Sequence, residues 1–293
     1  MSFLTAKEWQ EPVMTQILIP LQGIPGEANI ISLGFSLAES SKAQIRILHC
    51  KERFGKTDEE MLNKLLKHSQ SLSKRLNIPF DFKRVKRVRA SDAILKSSNE
   101  SDCDIVIMGI AEKPNHKHLL GSTVRRVARK SKKPVLVVVS WLNKFKDRQK
   151  FKIKKILLPI RKTSKDITAL RLAAALKKSS AAQEAELIAL NLTHFPEVVN
   201  KKPLDTPEIK VARELFIDDI TIFSEQTGLK ITPKHVATPK IGESALEIAA
   251  KENSDLIILG AHRKPGRFGG ALGSVSQEIS SEAPTTVVIT FTP

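Results

Sequence analysis

The residues best placed to do chemistry lie between Gly260 and Ser274, where an apolar strand ends in glycine and the run Ala-His-Arg-Lys-Pro-Gly-Arg-Phe-Gly-Gly-Ala-Leu-Gly-Ser follows. A glycine at a strand's carboxyl end and a Gly-Ser pair opening the next helix make an anion cradle. Exposed backbone N–H groups, a hydroxyl and the positive end of a helix dipole converge there. In that reading Gly273 and Ser274 hold phosphate oxygens, Gly260 lets the backbone approach, and Arg263 adds a cation. Gly109, Gly121 and Ser122 repeat the pattern, with Glu112 beside them, and a carboxylate next to a polyphosphate opposes binding. A second reading makes Gly109, Gly121, Gly260 and Gly273 turn and close-packing residues with no ligand.

Other chemistry finds little support. His116 and His118 sit two apart in a polar loop with Lys113 and Lys117 and no cysteine or acidic ligand set nearby. His49 and His262 have no ligand companions at a metal-binding spacing. There is no nucleophile elbow, no His-Glu-x-x-His and no complete P-loop. The expectation is therefore no catalytic residue and no metal site. Asp104 and Asp255 precede apolar strands and read as strand-start residues.

The chain has 293 residues, enough for two domains, and 48 basic against 31 acidic residues give a formal charge of +17. With 41% hydrophobic residues each half can bury a core, which excludes a disordered basic tail. Cys50 and Cys103 are too few for a disulfide framework and suit a reducing compartment. No window is long and apolar enough to span a bilayer. The candidates for meeting the positive charge are nucleic acid, an anionic membrane surface, or nothing more than water. Twelve Phe, two Trp and no Tyr argue against nucleic acid, because most of the Phe lie in apolar runs.

The elements that must position the glycine loops come twice. QILIPL at 16–21 matches KILLPI at 155–160, DIVIMG at 104–109 matches DLIILG at 255–260, and LLGSTVRRV matches ALGSVSQEI. Each copy closes on a Pro-led apolar strand, PVLVVV from Pro134 and PTTVVIT from Pro284. The offset is about 139 at the first strand and about 150 to 152 later, which marks a duplication with one early length change. Periodicity predicts strands near 16–21, 44–50, 80–88, 103–109 and 134–139 and helices near 27–40, 57–76, 90–100 and 121–131. In the second copy strands fall near 155–160, 185–192, 230–237, 255–260 and 285–291, and helices near 165–179, 206–227, 242–252 and 273–281. The fold class is α/β: two tandem doubly wound domains, each a five-stranded parallel sheet with helices on both faces. The organisation expected is a leader at 1–15, domain 1 at 16–140, a basic linker at 141–154 and domain 2 at 155–293. The basic run Lys83 to Arg89 reads as an edge strand protected by charge.

The glycine loops, the alternating strands and the closing Pro-strand resemble the universal stress protein family over nearly the whole chain. In that family a nucleotide loop reads Gly, two residues, Gly, nine residues, then Gly-Ser or Gly-Thr. Here Arg263 replaces the second glycine of copy two and Glu112 that of copy one, where eight residues then precede Gly121 and Ser122. The resemblance also implies an Asp at the end of the first strand, where Gln22 and Arg161 stand. It implies that the two copies pack about a pseudo-two-fold axis through their final strands. No cofactor is expected, apart from a degenerate nucleotide site in domain 2.

Lys7, Trp9 and Pro12, ahead of the first strand, resemble the junction that follows the last membrane helix in cation-chloride cotransporters of the amino-acid/polyamine/organocation superfamily. Prokaryotic members of that group can carry a stress-protein-like cytoplasmic domain. The expectation is a non-catalytic regulatory and dimerising domain at the inner face of the cell membrane. Its partners would be a second copy and the membrane part of the same transporter. The alternative is a free-standing tandem stress protein binding ATP or another nucleotide through Gly260, Arg263, Gly273 and Ser274.

Overall fold

A computed structural model describes residues 14–24, 26–51, 58–100, 102–110, 120–139, 152–161, 166–195, 198–199, 202–203, 206–261 and 272–292. The first half runs β1 (Gln16–Leu21), α1 (Glu27–Ser41), β2 (Gln44–Lys51), α2 (Glu59–Leu76), β3 (Phe80–Lys86), α3 (Ala90–Ser98), β4 (Ile105–Ile110), α4 (Ser122–Lys130) and β5 (Val135–Val139). The second opens with β6 (Lys155–Pro159), α5 (Ile167–Lys177), β7 (Glu186–His194) and two short strands, β8 (Val198–Val199) and β9 (Lys202–Pro203). It continues with α6 (Pro207–Thr227), β10 (Ile231–Thr238), α7 (Ile241–Lys251), β11 (Leu256–Ala261), α8 (Ser274–Glu282) and β12 (Thr286–Phe291).

Local chemistry sets these boundaries. The Asp58 carboxylate accepts the Met61 N–H at 2.9 Å and starts α2. Thr206 caps α6, Pro207 takes its first position, and Gly228 ends it with φ of 67°. Central strands such as Ile105–Ile110 and Val135–Val139 are apolar almost throughout because helices cover both faces.

Each half forms a parallel sheet, and the two merge into one sheet of ten strands in the order β10-β7-β6-β11-β12-β5-β4-β1-β2-β3. The seam is antiparallel: Val135 faces Phe291, Val137 faces Ile289, and Val139 faces Val287. The final strands therefore join the copies, as the resemblance implied, about a local two-fold axis. Across the seam the Glu39 carboxylate of α1 accepts the N–H and the hydroxyl of Ser180, at 3.0 and 2.8 Å. Helices α1, α2, α5 and α6 cover one face over a core that includes Ile19, Ile47, Phe35, Leu158 and Phe223. Helices α3, α4, α7 and α8 cover the other over Leu18, Val106, Val137, Ile257 and Ile289.

Strands β3 and β10 are the outer edges. The run Lys83 to Arg89 thus begins on an edge strand, and the opposite edge carries Pro233 and Lys234. Among the described residues no helix is long and apolar enough to cross a membrane.

Candidate functional site

The loop after the first strand of each half is fastened by a buried carboxylate. Glu27, the first residue of α1, accepts the N–H groups of Gln22, Gly23 and Ile24 at 2.7, 2.8 and 3.0 Å. Asp166, which precedes α5, accepts the Arg161 N–H at 2.8 Å. Both carboxylates reach back five residues, and 139 positions separate them, the offset that aligns β1 with β6. The neighbouring strand adds a second clasp. His49 on β2 donates from Nδ1 to the Leu21 carbonyl at 3.0 Å, and Asn191 on β7 donates to the Ile160 carbonyl at 2.9 Å. His49 is thus a structural donor rather than an isolated histidine. Burial pushes the Glu27 carboxyl above its ordinary range, outweighing the three N–H groups that favour its charge.

The four glycines separate into two kinds. A Cβ on Gly109 would stand 1.7 Å from Cδ1 of Ile30, and one on Gly260 would stand 2.2 Å from Oδ1 of Asp166. Those two are close-packing glycines. Gly121 and Gly273 have φ of −59° and −73° and no atom within 4 Å of a Cβ among the described residues. Among the described residues neither crowding nor backbone conformation asks for glycine at these two positions. They begin α4 and α8 with no side-chain cap, and Ser122 and Ser274 are exposed beside them. Arg263 and Glu112 lie outside the described residues, as do His116, His118, His262 and the Lys7–Pro12 leader.

In copy two no described residue covers the helix start, while the strand glycine is covered by a carboxylate that repels phosphate. In copy one the strand end is covered by hydrocarbon. Helix α4 carries Arg125, Arg126, Arg129 and Lys130 and no acid, whereas α8 carries Glu278 and Glu282 and no base. Of the two helices, α8 is therefore the less favourable to an anion.

Asp104 and Asp255 do mark strand starts, and the reason is visible. Asp104 accepts the N–H groups of Thr15 and Gln16 at 2.6 and 3.0 Å, and Asp255 accepts those of Lys154 and Lys155 at 2.7 and 3.0 Å. Each ties β4 or β11 to the entry of the adjacent first strand. Burial works against the Asp104 charge, but these donors win and hold its carboxyl below the ordinary value. Edge-strand lysines are fastened alike: Lys83 reaches Glu100 at 3.3 Å, and Lys234 reaches Glu252, which also takes Lys155 at 3.0 Å. Burial lifts the Cys103 thiol to about 11, so it is unreactive at neutral pH. Among the described residues no group of His, Cys, Asp and Glu is arranged to hold a metal ion.

Sequence reasoning missed Glu27, Asp166 and Asn191. The offset of 139 was the signal that pairs the first two.

The model of the universal stress protein family matches residues 14–139 and 152–290. The chain belongs to the universal stress protein family. Among solved structures, a putative universal stress protein from Pseudomonas aeruginosa is 14% identical, with 94% of this chain and 92% of that chain covered and a TM-score of 0.64. A universal stress protein from Archaeoglobus fulgidus is 17% identical over 94% and 97%, with a TM-score of 0.58. The cytoplasmic domain of a prokaryotic cation chloride cotransporter is 11% identical over 95% and 96%, with a TM-score of 0.56. Identities this low show the fold alone, and no curated protein sequence matches the chain. Gly260 lies at the end of β11 with Gly273 and Ser274 at the start of the helix that follows, and Gly109 lies at the end of β4 with Gly121 and Ser122 at the start of its helix.

Proposed function

We propose that the chain is a non-catalytic regulatory and dimerising cytoplasmic domain of a secondary transporter of the cation-chloride cotransporter kind. The observation that carries this reading is the closure of both first loops by the chain's own side chains, Glu27 with His49 and Asp166 with Asn191. A domain whose ligand-side backbone groups are already satisfied acts through surfaces rather than through bound chemistry. The fold-level likeness to a cotransporter cytoplasmic domain along nearly the full length supports the same reading, as do Lys7, Trp9 and Pro12 and the net charge of +17 beside an anionic inner leaflet. Such a domain biases the membrane part only through contacts that differ between transport states. The test is the native transcript: an open frame continuing upstream of Met1 through about twelve apolar segments of membrane-spanning length is expected. A stop codon and ribosome-binding site directly upstream would sink the transporter reading.

One observation favours a second reading. Among the described residues nothing lies within 4 Å of a Cβ on Gly273, which stands unstrained at a helix start with no side-chain cap, as a nucleotide phosphate would require. Titration calorimetry with ATP and with cyclic dinucleotides separates the two readings. Heat abolished by Gly273→Asp and Ser274→Ala makes copy two a nucleotide sensor. No heat leaves the domain acting through its surfaces.

A further inference from the structure

The exposed large apolar side chains of the described residues lie at the two opposite ends of the ten-stranded sheet. Val211, Leu215 and Ile217, at 53%, 41% and 37% exposure, lie on α6 over the β10 edge. Phe82 and Val88, at 38% and 39%, lie on β3 and in the turn that follows it. Single exposed hydrophobics are ordinary, but a census confined to two sites is not.

The α6 patch is built into the helix. Ile209, Phe216, Ile220 and Phe223 define its buried side. At about 100° per residue, the exposed Val211 and Leu215 then line the side turned away from the sheet with the half-buried Ile222 beside them, while Ile217 projects from a different side of the helix. Glu214, Asp218 and Glu225 run along one flank of that stripe, and Glu208 and Asp219 along the other. The cations of the helix, Lys210 and Arg213, sit on the side that carries Ile217, away from Val211 and Leu215. The result is an apolar ridge with acidic margins.

The β3 patch has the opposite charge. Phe82, Arg84 and Lys86 share the strand face on which Phe80 packs, because side chains alternate along a strand. The Arg84 guanidinium lies 5.9 Å from the Phe82 ring centroid. Arg87 and Arg89 bracket Val88, and all three are exposed.

We infer that these two patches are the two sides of one interface, in which α6 of one copy docks on the β3 edge of a second copy. Apolar ridge meets apolar edge, and acidic margins meet basic ones. Both patches lie on the face of the sheet covered by α1, α2, α5 and α6, at its two ends. A two-fold axis that sets α6 of one copy on β3 of the other makes the contact twice and closes the assembly as a dimer. An α6–α6 contact is disfavoured because it opposes like charges. This inference rests on the dimerising part of the proposed function and assigns its surface.

The test is sedimentation velocity of the whole chain from about 1 to about 100 μM at low and high salt, a range that brackets weak interfaces. A dimer that loosens with salt is expected. Leu215→Lys raises its dissociation constant about tenfold or more, as do the reversals Asp218→Lys with Glu225→Lys and Lys86→Glu with Arg89→Glu. Combining the two reversal pairs restores association to within about threefold of wild type, which a merely damaged fold would not do. A dimer indifferent to every reversal overturns the assigned surface while leaving dimerisation intact. Monomer at all concentrations overturns both. Species that keep growing with concentration overturn the two-fold closure. Capture of monomers on phosphatidylglycerol vesicles, lost in Lys86→Glu with Arg89→Glu, overturns the inference by giving the basic patch to a membrane.

Discussion

Copy one and copy two close the same loop at the same place, but they cover the neighbouring strand glycine with different material. In the first half Ile30 lies on Gly109, and Glu27 turns its carboxylate to the loop backbone. In the second half Asp166 serves the loop and lies on Gly260 as well. Hydrocarbon over a glycine leaves nothing for a polar ligand to exchange with. A carboxylate over a glycine keeps the position polar beside the open Gly273. Duplication gave both halves one scaffold; substitution at a single contact made one end sealed and the other merely occupied.

That contrast can be broken by substitution. The largest effect is expected from Glu27→Ala, which strands three N–H groups around a buried site; a loss of about 3 kcal/mol in urea unfolding follows. Asp166→Ala probes the same clasp in copy two, and equal losses would show that the two loops are held alike. Next is Gly109→Ala, where the added methyl collides with Ile30; overpacking costs about 2 kcal/mol, and Gly260→Ala about 1 because a carboxylate swings aside more readily. A reversed order would sink the distinction between hydrocarbon and carboxylate cover.

Acid titration sharpens the comparison further. The Glu27 carboxyl is raised from its ordinary 4.5, so its stabilising contribution is full below about that pH and is lost as pH climbs through the folded value. Unfolding of wild type against Glu27→Gln should show wild type losing ground from pH 4.5 upward. Asp104 has the opposite sign. Its carboxyl lies below the ordinary 3.8, so its contribution is present above that pH and disappears as pH falls through the folded value. The gap between wild type and Asp104→Asn should narrow on acidification. The smallest effects belong to Gly121→Ala and Gly273→Ala, within about 0.5 kcal/mol, because neither needs a positive φ nor crowds a neighbour. A Gly273→Ala loss as large as that at Gly109 would mean its surroundings are packed.

Much of the scaffold was legible because of where it lies. Strands buried on both faces leave near-continuous apolar runs, so β4, β5, β11 and β12 announce themselves. The ends of α6 follow from Thr206, Pro207 and Gly228. The strand pairs β8 and β9 were not legible, since two residues carry no period. Glu27 escaped because an acid in the first turn of a helix is also an ordinary response to the dipole. The α6 ridge escaped for a different reason: Val211 and Leu215 at helical spacing read as core until the buried side is seen to be Phe216 and Ile220.

The seam also has a consequence in time. β5 pairs on one side with β4 and on the other with β12, and that second partner is made roughly 150 residues later. At roughly 5–20 residues per second, translation leaves an edge of valines and leucine waiting for something like 8–30 seconds. During that interval it is an adhesive strand in a crowded cell. A chain with this topology has reason to depend on the speed of its ribosome and on chaperones that shield nascent edges, and slowing synthesis between β5 and β12 should lower its soluble yield.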